Sequence, residues 1–239
     1  MKVLIIVAHP DDEVLGMGGT IRKLTQAGHN VKIVIMATGI TSRRSVNYKN
    51  LQTYDTNSKI QKTMDIQVKQ LQKDTIRSSK ILGVKDIEFE DFPDNELDTI
   101  SNLEITKKIE KIISEYNPET VFTHSKFDIN VDHRVLYNAT ITATRPRNKS
   151  NVKDVISFEV PSSTEWDFPS QFSPNIFIDI SKELPFKLKA LKQYKTEIEK
   201  FPHPRSLESL DIISKRWGTV SGFNAAEAFC LVRQLKNKF

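Results

Sequence analysis

A chain of 239 residues, 38% hydrophobic and 27% charged, carries enough apolar material to bury one full core. No apolar run reaches membrane-spanning length, and the single cysteine, Cys230, excludes an internal disulfide and a thiolate cluster for structural zinc. The net charge of +5 is scattered among Asn, Ser and Glu rather than gathered into a stripe, which argues against a nucleic-acid surface.

Met1 and one Lys lead straight into strand-like residues with no signal-peptide core, so a cytoplasmic protein with no membrane segment is expected. Residues 2–8 read as a buried strand. Residues 14–27 read as a helix, with Leu15, Ile21 and Leu24 at helical spacing and Gly28 at its end. Residues 31–37 form a second strand with little alternation, and such continuous runs separated by a helix mark parallel strands covered on both faces. From Gly39 to about Ile66 the pattern gives way to a polar insertion carrying Arg43, Arg44 and Tyr48; segments of this kind tend to be functional or mobile.

A helical pattern resumes over residues 68–82, followed by a strand at 87–92 and the turn Pro93-Asp94-Asn95. Residues 103–116 make a helix with Ile105, Ile109, Ile112 and Ile113 on one face, and 120–123 a fourth strand. Repeated β-α-β units predict a three-layer αβα Rossmann-like sandwich with a mostly parallel sheet. The second half is less regular. Residues 152–160 and 175–180 read as strands, 183–200 as a long basic helix, and 224–238 as a terminal helix with Ala228, Leu231, Val232 and Leu235 inward. Trp166, Phe168 and Phe172 read as core or as contacts of a homo-oligomer. With no linker or repeat, residues 1–239 are expected to form one domain, the part beyond 150 packed on the rest.

The chemistry gathers behind two strands. His9, Asp11, Asp12 and Glu13 follow the first apolar run directly, at the strand end where α/β proteins assemble their sites. An imidazole and three carboxylates this close repel one another and cost desolvation unless a cation or proton shares them, and a metal is the simplest cation. His124, Asp128, Asn130, Asp132 and His133 follow the fourth strand, and in a parallel sheet both sets emerge on one edge.

A catalytic zinc takes three protein ligands and keeps a position open for water, and His9, Asp12 and His133 supply two nitrogens and an oxygen. Asp11 is then left off the ion, where a carboxylate can take the water's proton and pass it to a leaving amine. Asp132 suits the role of accepting from an imidazole N–H and fixing its tautomer. Plainer readings stand beside these. Asp11 and Asp12 suit a helix N-terminus, His124 a locally bonded loop histidine, and Asp94 a turn rather than a contact to a sugar hydroxyl. Arg43 and Arg44 are solvated unless the insertion overhangs the site and holds a phosphate or carboxylate. The glycines from Gly16 to Gly19 lack the Lys-Ser/Thr of a nucleotide loop and follow acids that repel phosphate.

The strand ending in Ala8-His9-Pro10-Asp11-Asp12-Glu13, the glycines Gly16, Gly18 and Gly19, and Asp132-His133 after the strand ending at Thr123 together resemble the LmbE/PIG-L family. These are zinc-dependent deacetylases of N-acetylglucosaminyl conjugates. The resemblance extends more loosely to Leu82-Gly83-Val84, Phe92-Pro93-Asp94-Asn95 and Thr144-Arg145-Pro146. It implies His9, Asp12 and His133 as ligands of Zn²⁺, Fe²⁺ accepting the same set, with Asp11 as general base. The implied reaction removes an N-acyl group, foremost acetyl, from an amino sugar in a small glycoconjugate.

There is one departure from the family pattern. Many members carry His-Pro-Asp-His where this chain has Asn130-Val131-Asp132-His133, and their first His is read as a cation that stabilises the oxyanion. Asn130 can donate a hydrogen bond there but brings no charge; His124 or an Arg of the insertion is the candidate substitute. Two further readings follow: an amidase for a non-sugar acyl amide, and a metal-binding member without turnover.

Overall fold

The computed structural model describes residues 1–40, 58–146, 150–169 and 172–236; Arg43 and Arg44 lie outside them. The strand Lys2–Val7 (β1) is buried on both faces, with Val3, Ile5 and Val7 in one apolar layer and Leu4 and Ile6 in the other. Asp12–Gln26 (α1), Asn30–Ala37 (β2), Ser58–Leu82 (α2) and Asp86–Phe92 (β3) follow, then Asn102–Tyr116 (α3), Thr120–His124 (β4) and Val131–Ala143 (α4). The second half contributes Asp154–Phe158 (β5), Ile176–Asp179 (β6), Leu184–Leu191 (α5), Leu207–Ser221 (α6) and Ala226–Gln234 (β7).

The seven strands form one sheet in the order β3-β2-β1-β4-β5-β7-β6. The first five are parallel, and β7 runs antiparallel to both β5 and β6. Leu15, Ile21, Leu71, Leu191 and Leu210 cover one face from α1, α2, α5 and α6, while Ile105, Ile109, Ile112, Leu136 and Ala139 cover the other from α3 and α4. The expected three-layer α/β sandwich is therefore what forms. The chain leaves β1 toward β2 and returns through α3 to β4 on the other side of β1, so the strand order reverses between β1 and β4. At such a switch point the loops beyond the two strand ends open a crevice.

The second half corrects three expectations. Residues 224–238 do not form a helix. Ala228, Leu231, Val232 and Leu235 fit a helical stripe, yet Ala226–Gln234 is a strand inserted between β5 and β6, with Phe229 facing Phe158 and Glu227 facing Ile178. A short apolar segment takes the conformation of the partner that buries it. The basic helix ends at Leu191 instead of Lys200, and the chain then turns through the buried Tyr194. The sequence reading assigned no element to 207–221, which is helical. Ser206 caps it by accepting from Ser209 N–H at 3.0 Å, and Gly222 ends it at φ 79°. Elsewhere α2 begins earlier than expected, at Ser58. Trp166 and Phe168 are exposed, while Phe172 packs on Trp217.

Candidate active site

The turn after β1 is shaped by its own acids. Asp11 sits at φ 104°, a conformation costly for a non-glycine residue, and its carbonyl accepts from Val14 and Leu15 N–H at 3.0 and 2.9 Å to start α1. Asp12 Oδ2 bends back to accept from His9 N–H at 2.8 Å. Glu13 is fully buried: Oε2 accepts from Asp11 N–H at 3.1 Å and Oε1 from the Tyr194 hydroxyl at 2.5 Å, while burial raises its pKa to about 7. The glycines behind it serve packing. A Cβ on Gly16 would lie 2.3 Å from the Phe158 ring and one on Gly19 2.7 Å from Ile180. Helix α1 breaks at Met17, and the buried Glu227 accepts from the freed N–H groups of Gly19 and Thr20 at 2.9 and 2.6 Å, neutralised by Lys187 at 2.6 Å.

In the loop after β4, Asn130 caps α4 by accepting from Asp132 N–H at 2.9 Å, which sets Asp132 and His133 in the first turn. Asp132 is spent on positioning. Its Oδ1 accepts from Leu97 N–H at 2.9 Å; Oδ2 accepts from Asn95 N–H at 2.7 Å and stands 3.0 Å from His9 Nε2. The imidazole it was expected to orient is thus that of His9. Asp94 Oδ1 lies 3.0 Å from the same nitrogen, so the turn residue also faces His9.

Three histidines surround the Asp12 carboxylate, and their other contacts sort them. His9 Nε2 is taken by Asp132 and Asp94, which leaves Nδ1 as the nitrogen turned toward Asp12 Oδ2 at 3.4 Å. His133 Nδ1 donates to Asp128 Oδ2 at 3.0 Å, an oxygen also held by Ser163 and Thr164 hydroxyls at 3.0 and 2.7 Å. That leaves His133 Nε2 buried, without a hydrogen-bond partner among the described residues, 3.3 Å from Asp12 Oδ2. His124 differs. Its Nε2 accepts from Ala8 N–H at 2.8 Å, and the ring stacks on His133 with centroids 3.9 Å apart, fully buried. Its Nε2 lone pair is used, its buried Nδ1 has no hydrogen-bond partner among the described residues, and the ring stands behind His133 and not on the cavity lining, away from the substrate contact and substitute oxyanion role expected of it.

The electrostatics follow from this packing. Burial works against every charge here. The neighbouring histidines nevertheless hold Asp12 well below the usual carboxylate range, and Asp12, Asp132 and Asp94 raise His9 well above its ordinary value. His133 is lifted to about 9 by Asp12 and Asp128 against its burial. Burial, reinforced by the cation at His133, pushes His124 well down and keeps it neutral. A buried carboxylate between two imidazole nitrogens, each imidazole backed by its own carboxylate, is a donor set that could hold a divalent metal ion, and the orphaned His133 Nε2 fits that use. His9, Asp12 and His133 place one donor atom each within 4.8 Å of one another, as do His9, Asp94 and Asp132.

Above this cluster lies a cavity of about 160 Å³ lined by His9, Asp11, Asp12, Asn130, His133 and Arg205, with Asp94, Asn95, Ser162, Ser163 and Glu197 at its walls. Asp11 is buried and raised well above its ordinary value, by desolvation first, against the pull of Arg205. Asn130 lines the cavity, and with its Oδ1 engaged in the cap its Nδ2 has no hydrogen-bond partner among the described residues. Arg205, Glu197 and Ser162 were not singled out from the sequence, and Asp128 was named there without a role of its own. Asp128 lay within the second constellation; the other three carry no spacing signal.

Fold and site define a Rossmann-like αβα protein with a His-Asp-His set at its switch point. The family model described as PIG-L, GlcNAc-PI de-N-acetylase, matches residues 4–144, and the chain belongs to this family. The diacetylchitobiose deacetylase of Thermococcus kodakarensis is 29% identical over 97% of this chain and 83% of its own length. A probable N-acetyl-α-D-glucosaminyl L-malate deacetylase of Bacillus cereus is 27% identical over 82% of this chain and 84% of its own. The solved N,N'-diacetylchitobiose deacetylase of Pyrococcus horikoshii superposes with a TM-score of 0.74 at 25% identity, covering 97% of this chain and 84% of that one.

Proposed function

We propose that this chain is a zinc-dependent N-deacetylase that removes an acetyl group from an amino sugar in a small glycoconjugate. The observation that carries the reading is the Asp12 carboxylate between His9 Nδ1 and His133 Nε2, at 3.4 and 3.3 Å, with Asp11 on the cavity wall beside it. His9, Asp12 and His133 hold the ion. Once bound, it supplies a Lewis acid that polarises the amide carbonyl and acidifies the attacking water.

Asp11 takes the proton of the attacking water and returns it to the amine nitrogen as the C–N bond breaks, releasing acetate and the free amino sugar. Burial raises the Asp11 carboxyl above its ordinary value, which makes its carboxylate the stronger base. Asn130 Nδ2 donates to the oxygen that gains charge in the tetrahedral intermediate. A cavity of about 160 Å³ is smaller than the ~300–1,000 Å³ that encloses a drug-sized ligand, so it receives the acetamido end while the rest of the conjugate extends outward. The names of the relatives point to the same substrate class.

The test is acetate release from N,N'-diacetylchitobiose and N-acetylglucosamine by Zn²⁺-loaded protein, beside Asp11→Asn. Wild-type turnover with a loss of about 10²–10⁴-fold in the variant at unchanged metal content is expected. Metal retention with no acetate from either substrate would favour the member without turnover, the reading that the neutral Asn130 motivates. Acetate from simple N-acetyl amines alone would favour the amidase.

A further inference from the structure

Arg205 reaches the cavity from the segment between α5 and α6, 194 residues from Asp11. Its Nη1 donates to Asp11 Oδ2 at 3.3 Å and to Glu197 Oε2 at 3.2 Å, and its Nε donates to Ser162 Oγ at 2.9 Å. Four non-glycine residues have positive φ among the described residues, and three of them, Asp11 at 104°, Asn95 at 57° and Ser162 at 89°, line this cavity. One guanidinium therefore bridges two of these strained backbone positions. Strain of this kind persists only where surrounding structure over-determines it, and it clusters at functional sites. The remaining anchors of the two turns are local: Glu13 accepts from Asp11 N–H, and Glu165 accepts from Ser162 and Ser163 N–H. Among the described residues no local anchor fixes the Asp11 side chain, whose hydrogen bond is to Arg205.

We propose that Arg205 is a positioning residue for Asp11: by holding Oδ2 against the Ser162 turn it leaves Oδ1, which has no other partner among the described residues, presented to the cavity. The inference rests on Asp11 being the base of the proposed reaction. A planar guanidinium donating in two directions at once fixes a carboxylate in a way that a point charge does not, so lysine is an imperfect replacement.

Two measurements test this on the full chain. In turnover of diacetylchitobiose, Arg205→Ala should lower kcat about 10²-fold, the size of effect a displaced catalytic group produces, with KM and bound zinc within about twofold of wild type. Arg205→Lys should lie between, and added guanidinium should partly restore the alanine variant. In thermal unfolding of the metal-free protein, Arg205→Ala should lower the midpoint when Asp11 is present and have little further effect in an Asp11→Asn background. Unchanged kcat in Arg205→Ala, or additive shifts of the midpoint, would overturn the proposal. If wild-type protein releases no acetate, the functional reading fails by itself, and the unfolding cycle still decides whether Arg205 holds Asp11: coupling supports the assignment and additivity refutes it.

Discussion

At His133 the proton and the proposed metal would compete for the same nitrogen. A histidine whose folded pKa is raised stabilises the fold in its charged form. With His133 at about 9 against an ordinary 6.5, that contribution is complete below about pH 6.5 and is lost as pH rises through about 9. Chelator-treated protein should therefore show a melting midpoint that falls across this window, and His133→Ala should make the slope shallower, His9 and Glu13 supplying the remainder. Zinc must displace the same proton, so its apparent affinity should rise over that range; calorimetric titration at several pH values checks this. A midpoint independent of pH in the chelated protein would contradict the assignment. Asn130 separates in a similar way. Asn130→Ser keeps an oxygen to cap α4 and loses the Nδ2 donor, so unfolding should shift by less than about 0.5 kcal/mol while kcat falls about 10²-fold.

At the level of elements, the break in α1 is held by charge and by shape. Glu227 and Lys187 are both buried, and Glu227 also serves two helix N–H groups, so Glu227→Ala leaves a buried ammonium and two unmatched donors. A loss of about 3–5 kcal/mol in urea denaturation is expected. Gly19→Ala drives a Cβ into the Cγ2, Cβ and Cδ1 atoms of Ile180, a collision costing about 1–3 kcal/mol that an Ile180→Ala background, which removes Cγ2 and Cδ1, should partly relieve. Equal losses with and without the compensating change would show that the collision is not what the glycine avoids. Because α1 begins at Asp12, movement of this helix is also movement of a proposed metal ligand.

At the level of the whole molecule, β7 decides whether the second half closes the sheet. It pairs with β5 along one side and β6 along the other, so removing residues from 224 onward leaves β6 with no strand partner among the described residues, leaves β5 paired only with β4, and takes away Phe229 opposite Phe158. Such a truncation should lose the cooperative thermal transition in circular dichroism, whereas a helix packed on an otherwise complete sheet would have left one. The second half also carries Tyr194 and Arg205, the contacts that steady Glu13 and Asp11, so the proposed base depends on chain folded far beyond the matched family region.

Residues close in sequence could be read directly. The layered α/β fold was legible because strand and helix periods are local, and His9, Asp11 and Asp12 were legible because one turn after a buried strand must keep them together. Pairing across the sheet was decided only by folding: Asp132 with His9 across 123 residues and Arg205 with Asp11 across 194. The conformation of 226–234 was likewise settled by the strands that bury it. Such contacts form through space between loops whose spacing carries no period, and a short apolar stretch has no conformation of its own until a neighbour supplies the hydrogen bonds and the cover.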